Sequence, residues 1–260
     1  MTVSLERALS KLGVASRSQA RALIASGRVR VDGRSVRDPS LAVIPERSRI
    51  AIDGRAVVAP AAITIALHKP RGVMTTRRDP EGRKTVYDLL VDFPHHVVPI
   101  GRLDYATSGL LLLTNDTRLA AWLTDPANEV PRVYLVTVRG RMTDQDALAL
   151  QQGLVHRGER LSASKATVRK ASNRESHLTV ELIEGKNREV RRLFSSIGHE
   201  VTRLRRVRFG GIALDDLPPG AWRVIATQEL ARAFPTGRSK NKERKTKNNV
   251  LSSRVLSSSS

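Results

Sequence analysis

Residues 99–116, Pro-Ile-Gly-Arg-Leu-Asp-Tyr-Ala-Thr-Ser-Gly-Leu-Leu-Leu-Leu-Thr-Asn-Asp, restrict the fold of this chain more than any other segment. Four successive leucines, 110–113, cannot alternate between core and water, so neighbouring structure has to cover the run on every side. Gly101 permits close backbone approach, and the apolar run follows directly after Gly109. Asp104 lies between them, on a short loop or strand end gripped by two buried elements, which is a rigid mount for a carboxylate. Asp104 and Asp116 equally suit turns in which they accept backbone N–H bonds.

Periodicity organises the rest. Leu5, Ala8, Leu9 and Leu12 recur at helical spacing up to Gly13, and Ser16 caps a second helix carrying Ala20, Leu23 and Ile24 up to Gly27. Residues 28–33 and 49–54 each read as an alternating strand running into Asp-Gly. Residues 56–62 read as a linker. Strands are predicted over 63–68, 96–100, 133–139, 178–183 and 201–209, and helices over 117–123 and 188–197. Strands outnumber helices, so the large domain is a mixed α/β or α+β sheet domain. Residues 236–260 carry seven basic side chains, one acid and few apolar residues. Such a tail buries too little surface to offset its ordering entropy and is expected to be disordered.

The 260 residues include 45 Lys and Arg against 25 Asp and Glu, a net charge of +20, and no cysteine. A disulfide framework, a cysteine-ligated metal and a cysteine nucleophile are therefore excluded. None of the six histidines has the i, i+4 partner of a helix-borne zinc site. No apolar run is long enough to span a bilayer and no signal-type apolar stretch opens the chain, so a cytoplasmic protein with no membrane partner is expected. The charge points to a polyanion, most simply nucleic acid. An aromatic content of 3% argues against a stacking platform for single strands.

Three basic motifs accompany Asp104. Lys69-Pro70-Arg71-Gly72, followed by Arg77, Arg78, Arg83 and Lys84, reads as a loop able to fold over a backbone. In Glu184-Gly185-Lys186-Asn187-Arg188-Glu189-Val190-Arg191-Arg192-Leu193-Phe194, the stripe of Val190, Leu193 and Phe194 puts Arg191 beside a buried face, suited to pairing with a carboxylate. Lys186 lacks the glycine spacing and the following Ser or Thr of a phosphate loop. In residues 202–209, strand alternation puts Arg206 and Arg208 on one face and Arg203 and Arg205 on the other, as contacts for phosphates.

Gly101-Arg102-Leu103-Asp104 with Ser108-Gly109 and residues 110–116 resembles the catalytic motif of the RsuA-type pseudouridine synthases of bacterial ribosomal RNA. Lys69-Pro70-Arg71-Gly72, Glu184-Gly185-Lys186-Asn187-Arg188, Gly198-His199 and Leu217-Pro218-Pro219-Gly220 follow in that family's order and spacing. Residues 1–55 resemble the S4-type RNA-binding domain that commonly precedes it. The resemblance implies an α+β protein: the S4-type αβ module at 1–55, a linker at 56–62, and at 63–235 a catalytic domain whose mixed, mainly antiparallel sheet is flanked by helices.

It further implies conversion of uridine to pseudouridine without cofactor or metal. Asp104 is then the nucleophile, attacking carbon 6 of the base or carbon 1 of the ribose, and Tyr134 stacks on the extruded base. Arg191 pairs with the nucleophile, and Val190 and Leu103 line the pocket. Arg102, Lys69, Arg71, Lys186, Asn187, Arg188, Arg205 and Arg206 are expected to contact RNA, together with Arg17, Arg21 and Arg28 of the S4-type module. The chain departs from the family pattern at Glu189 (usually Gln or His), Arg132 (usually Lys), Ser18 and Asp32, positions that bear on RNA docking. The wording around Arg71, Asp79-Pro80 and 82–85 resembles the 23S branch more than the 16S branch. The expected partner is ribosomal RNA, 23S before 16S, free or in subunit precursors, bound by a monomer. The alternative is a ribosome-assembly factor that binds RNA on this fold without catalysis.

Overall fold

The computed structural model describes residues 2–45, 47–58 and 61–235. Its first part consists of β1 (Val3–Ser4), α1 (Leu5–Lys11), α2 (Arg17–Ala25), β2 (Val29–Val31), β3 (Arg34–Val36), β4 (Ala42–Val43), β5 (Ile50–Ile52) and β6 (Arg55–Ala56). Ser16 forms a reciprocal capping box with Gln19, which starts α2 where expected. Leu5, Leu9, Ala20 and Ile24 close a small core against Val29, Val31 and Ile50. Both Asp-Gly pairs turn with positive φ, 49° and 85° at Asp32 and Gly33 and 51° and 78° at Asp53 and Gly54. Asp and Gly tolerate that left-handed region best. The stretch expected as a linker begins inside β6, and positions 59 and 60 lie outside the described residues, as does the expected tail from 236.

The second part comprises β7 (Thr64–Lys69), β8 (Val98–Pro99), β9 (Ser108–Thr114), α3 (Thr117–Thr124), β10 (Arg132–Arg139), α4 (Asp144–Gln152), β11 (Leu154–His156), β12 (Glu159–Leu161), β13 (Lys165–Ala171), β14 (Glu175–Leu182), α5 (Glu189–Ser195), β15 (Val201–Phe209), β16 (Ile212–Ala213), β17 (Trp222–Val224) and α6 (Thr227–Ala233). One sheet runs β13-β14-β10-β15-β9-β7-β17, with β8 and β16 at its margins. Every pairing is antiparallel except β9 with β15, so the sheet is mixed and mainly antiparallel.

The leucine run is the strand β9, covered on both faces. Leu111 and Leu113 join Ile65 and Leu67 in one core, whereas Leu110 and Leu112 join Ala66 in a second. A strand buried on both sides needs no polar alternation. Side chains of α4 and α5 enter the first core and those of α3 and α6 the second, so helices flank both faces. Helix α4 escaped the sequence reading although Thr143 and Asp146 form a capping box at its start. The strand expected at 96–100 shrinks to Val98–Pro99.

Strand β15 does not alternate as expected. Val133 pairs with Arg208 but Tyr134 pairs with Arg206, so Val207 is the extra residue of a β-bulge. Val133 and Tyr134 point to opposite faces, and Arg208 and Arg206 therefore do too. Arg206 turns inward at 3% exposure, while Arg208 stays exposed.

The parallel step of β9 on β15 is short, Ser108 with Arg205 and Gly109 with Arg206. At Gly109, φ is +110°, and a Cβ there would sit 2.2 Å from the Arg206 carbonyl oxygen. No side chain fits without separating the strands. Gly109→Ala is therefore expected to lower unfolding stability by roughly 4 kcal/mol or more, read by urea denaturation; a midpoint within error of wild type would contradict this packing.

Candidate active site

The residues before β9 form a loop held from two sides. Lys69, at the end of β7, has no exposed surface. Its ammonium donates to the carbonyls of Pro70 (3.0 Å), Asp104 (3.1 Å) and Thr107 (2.8 Å). Burial pulls its pKa down to about 8, the nearby Asp104 charge opposing and Arg206 adding to the fall. From the other side, the Thr75 hydroxyl donates to the Leu103 carbonyl at 2.8 Å and accepts the Leu103 N–H at 3.3 Å. The backbone around Asp104 is thus pinned while its half-buried carboxylate faces a cavity of about 240 Å³.

The cavity opens on the sheet face that carries Tyr134, Leu204 and the inward-turned Arg206. Arg102, Leu103, Val190 and Arg191 complete the wall near Asp104, and Lys186, Asn187 and Arg188 line it from the loop before α5. Arg191 donates to the Val201 carbonyl at 2.8 Å and to the Ala106 carbonyl at 3.4 Å. Burial lowers its pKa, and the neighbouring Asp104 counteracts that. Among the described residues no ion pair within 4 Å joins the two, so the direct pairing expected of Arg191 and Asp104 is absent and they interact only across the cavity.

Several residues expected at the RNA surface stand elsewhere. Lys69 is a buried tie. Arg206 donates to the Leu110 carbonyl at 2.7 Å and lies over the Phe209 ring, inside the cavity wall rather than on the surface. Lys186 is already engaged by Glu184 at 2.5 Å and, more distantly, by Glu159. In the N-terminal part Arg28 grips Asp53 through two nitrogens and Arg21 pairs with Glu6. Such exposed pairs exchange for a phosphate at little cost. Arg17, Arg71, Asn187, Arg188 and Arg205 are exposed, but Arg205 points from the sheet face opposite Tyr134. Asp116 takes the turn role weighed for it, accepting the N–H groups of Arg118 and Leu119 as the cap of α3.

Glu189 lies in the cavity wall at 4% exposure, rather than at a docking surface. One of its oxygens accepts the Lys186 N–H at 3.1 Å. Burial raises its pKa to about 7; Glu184 adds to the rise, while Lys186 and Arg132 oppose it. Arg132 is itself buried, its guanidinium donating to the carbonyls of Val130, Ile183, Glu184 and Leu123. Sequence reasoning missed Thr107, Glu189 and Phe209 as cavity residues; only the apolar stripe beginning at Val190 hinted that its neighbour would be buried.

The model of the RNA pseudouridylate synthase family matches residues 63–196, and the model of the S4 domain matches residues 4–46. The chain is 37% identical over 235 residues to an uncharacterized RNA pseudouridine synthase of Aquifex aeolicus, covering 90% of this chain and 94% of that one. It is 35% identical to the ribosomal large subunit pseudouridine synthase B of Bacillus subtilis (88% and 94% covered) and 39% identical to that of Vibrio cholerae (88% and 74%). A crystal structure of a pseudouridylate synthase superposes with a TM-score of 0.62 at 26% identity, over 89% of this chain and 99% of that one.

The raised pKa of Glu189 makes stability depend on pH. Between pH 4.5 and 7 the folded chain keeps a proton that the unfolded chain releases, so stability falls as pH rises through that window. Glu189→Gln removes this dependence and is expected to gain on wild type by up to about 3 kcal/mol between pH 4.5 and 8. Parallel unfolding curves for the two proteins at both pH values would contradict the buried carboxyl.

Proposed function

This chain belongs to the RNA pseudouridylate synthase family and carries an S4 domain, and we propose that it isomerises a uridine of 23S ribosomal RNA with Asp104 as nucleophile. The observation that carries this reading is the pinned Asp104 loop, whose carboxylate faces a cavity shared with Tyr134 and Arg191. Large-subunit RNA is favoured because the relatives in Bacillus subtilis and Vibrio cholerae bear the name ribosomal large subunit pseudouridine synthase B. With such a substrate, free or in a subunit precursor, the protein works in the cytoplasm. We propose that it works as a monomer.

Uridine and pseudouridine contain the same atoms. The bond from ribose carbon 1 to base N1 breaks, a bond from carbon 1 to carbon 5 forms, carbon 5 loses its proton and N1 gains one. Asp104 attacks carbon 6 of the base or carbon 1 of the ribose, holds one fragment as an adduct, and leaves again when the new bond has formed. A carboxylate suits both steps because it is a nucleophile without a helper base and a competent leaving group. Arg191 sets a cation across the cavity from the Asp104 carboxylate. Tyr134 stacks on the base, and its hydroxyl assists removal of the carbon 5 proton. Val190 and Leu103 supply apolar wall, and Arg102 at the rim holds the displaced nucleotide.

Entry of the uridine requires unstacking it, at a cost of a few kcal/mol. Contacts from Arg71, Asn187 and Arg188 around the cavity, and from Arg17, Arg21 and Arg28 on the N-terminal module, offset that cost. Two linked sites also raise the effective concentration of RNA at the cavity.

Tritium release from rRNA labelled at uridine carbon 5 tests the reading, with 23S and 16S transcripts run separately. Wild type is expected to release tritium from the 23S transcript. Asp104→Asn is expected to do so at least roughly a thousandfold more slowly, with RNA affinity within about twofold of wild type. Loss of binding by a folded Asp104→Asn would remove the nucleophile assignment, and release from 16S alone would transfer the target. Binding of both transcripts without release by wild type would point to the assembly factor.

A further inference from the structure

Four buried side-chain polar atoms have no hydrogen-bond partner among the described residues: Thr107 Oγ1, Glu189 Oε1, Arg191 Nε and Arg206 Nη2. All four belong to residues that line the Asp104 cavity. An unpaired buried polar atom is costly, and four of them around one cavity call for a partner that the described residues do not supply. Glu189 takes no part in the steps above. Its Oε2 is held by the Lys186 N–H, which fixes the carboxyl and leaves Oε1 as the one acceptor of the set that is not a hydroxyl.

Uracil presents a carbonyl, the N3–H and a second carbonyl along one edge. For carbon 5 to take the place of N1, the detached ring makes a half-turn about the axis through N3 and carbon 6. That turn exchanges the two carbonyls and leaves N3–H where it was. One acceptor in line with N3 therefore holds the ring before, during and after the turn, and a donor beside it meets a carbonyl in both orientations.

We propose that Glu189 Oε1 accepts the N3–H of the extruded uracil and is the pivot on which the ring turns, with Arg206 Nη2 donating to a ring carbonyl. The proposal rests on the isomerase reading above and names the base-recognising residues within it. It also assigns the choice of uracil over cytosine. Cytosine N3 carries a lone pair instead of a hydrogen, and its 4-amino group would face the Arg206 donor.

The pivot accepts best as a carboxylate, so loading of uridine follows the charge of Glu189. The groups around that charge are Glu184 and Lys186 on its own loop, Arg188 and Arg191 beside it, Arg132 and Tyr134 from β10, Arg206 from β15 and Asp104 across the cavity. Burial outweighs the cations and brings the carboxyl to about 7, so its ionised fraction changes across neutral pH.

Single-turnover tritium release from the labelled 23S transcript, measured from pH 5.5 to 8.5, tests the assignment with the full-length protein and its Glu189→Gln and Glu189→Asp variants. Glutamine must give its oxygen to the Lys186 N–H and turn its NH2 toward the ring, donor against donor. Wild type is expected to rise about tenfold per pH unit below 7 and to level above it. Glu189→Asp should keep a rising limb, and Glu189→Gln should be flat and at least tenfold below the wild-type plateau. A Glu189→Gln variant with the wild-type limb or plateau would overturn the proposal. So would a flat wild-type profile, which needs no variant to fold. Absence of release by wild type at every pH would overturn the isomerase reading and the pivot with it.

Discussion

A lysine with no exposed surface holds the Asp104 loop in place. Lys69 leaves β7 beneath that loop, and its ammonium satisfies three carbonyls, two of which, those of Asp104 itself and Thr107, belong to the loop. A buried ammonium is costly, and its pKa near 8 records that cost. The cost is offset by three hydrogen bonds and by the charge of Asp104 nearby. Thr75 ties Leu103 from the opposite side. The result is a backbone fixed on both sides of a half-buried carboxylate, so the loop itself needs little further ordering when a nucleotide enters.

The remainder of the cavity follows from two backbone features of β15. The parallel step onto β9 requires Gly109 and brings the end of the Asp104 loop against β15. One residue further, the bulge at Val207 turns Arg206 inward on the face of Tyr134. Buried guanidiniums then spend most of their N–H groups on main-chain carbonyls. Arg132 meets four of these and Arg191 two. The bonds lock the side chains, and the few N–H groups left over, with Glu189 Oε1, belong to residues that line the cavity.

Much of this was legible in the residue order because it depends on local periodicity. The capped helix α2, the two Asp-Gly turns, the all-apolar β9 and the stripe of α5 each carry their signal within a few residues. What escaped depends on contacts distant in sequence. Nothing near Val207 announces a bulge, because the register with β10 decides it, and Arg206 was therefore read as a surface cation. Lys69 was read as part of an RNA-contacting loop, and Glu189 as a docking position, for the same reason: the walls that bury them come from other elements. Lys186 and Arg28 carry acids that are remote in sequence or visible only once the turns close. Ordered motifs located Asp104 beside the cavity better than they located its neighbours, since a motif marks a place in the fold rather than a single side chain.

The claim that Asp104 in this cavity remakes one uridine is tested most directly by mapping. Unmodified 23S and 16S transcripts would be incubated with wild type or Asp104→Asn, treated with a carbodiimide that marks pseudouridine, and read by primer extension. One new stop in the 23S transcript, present with wild type and absent with Asp104→Asn, is the expected result. The same stop produced by Asp104→Asn, or no stop in either transcript with wild type, would contradict it.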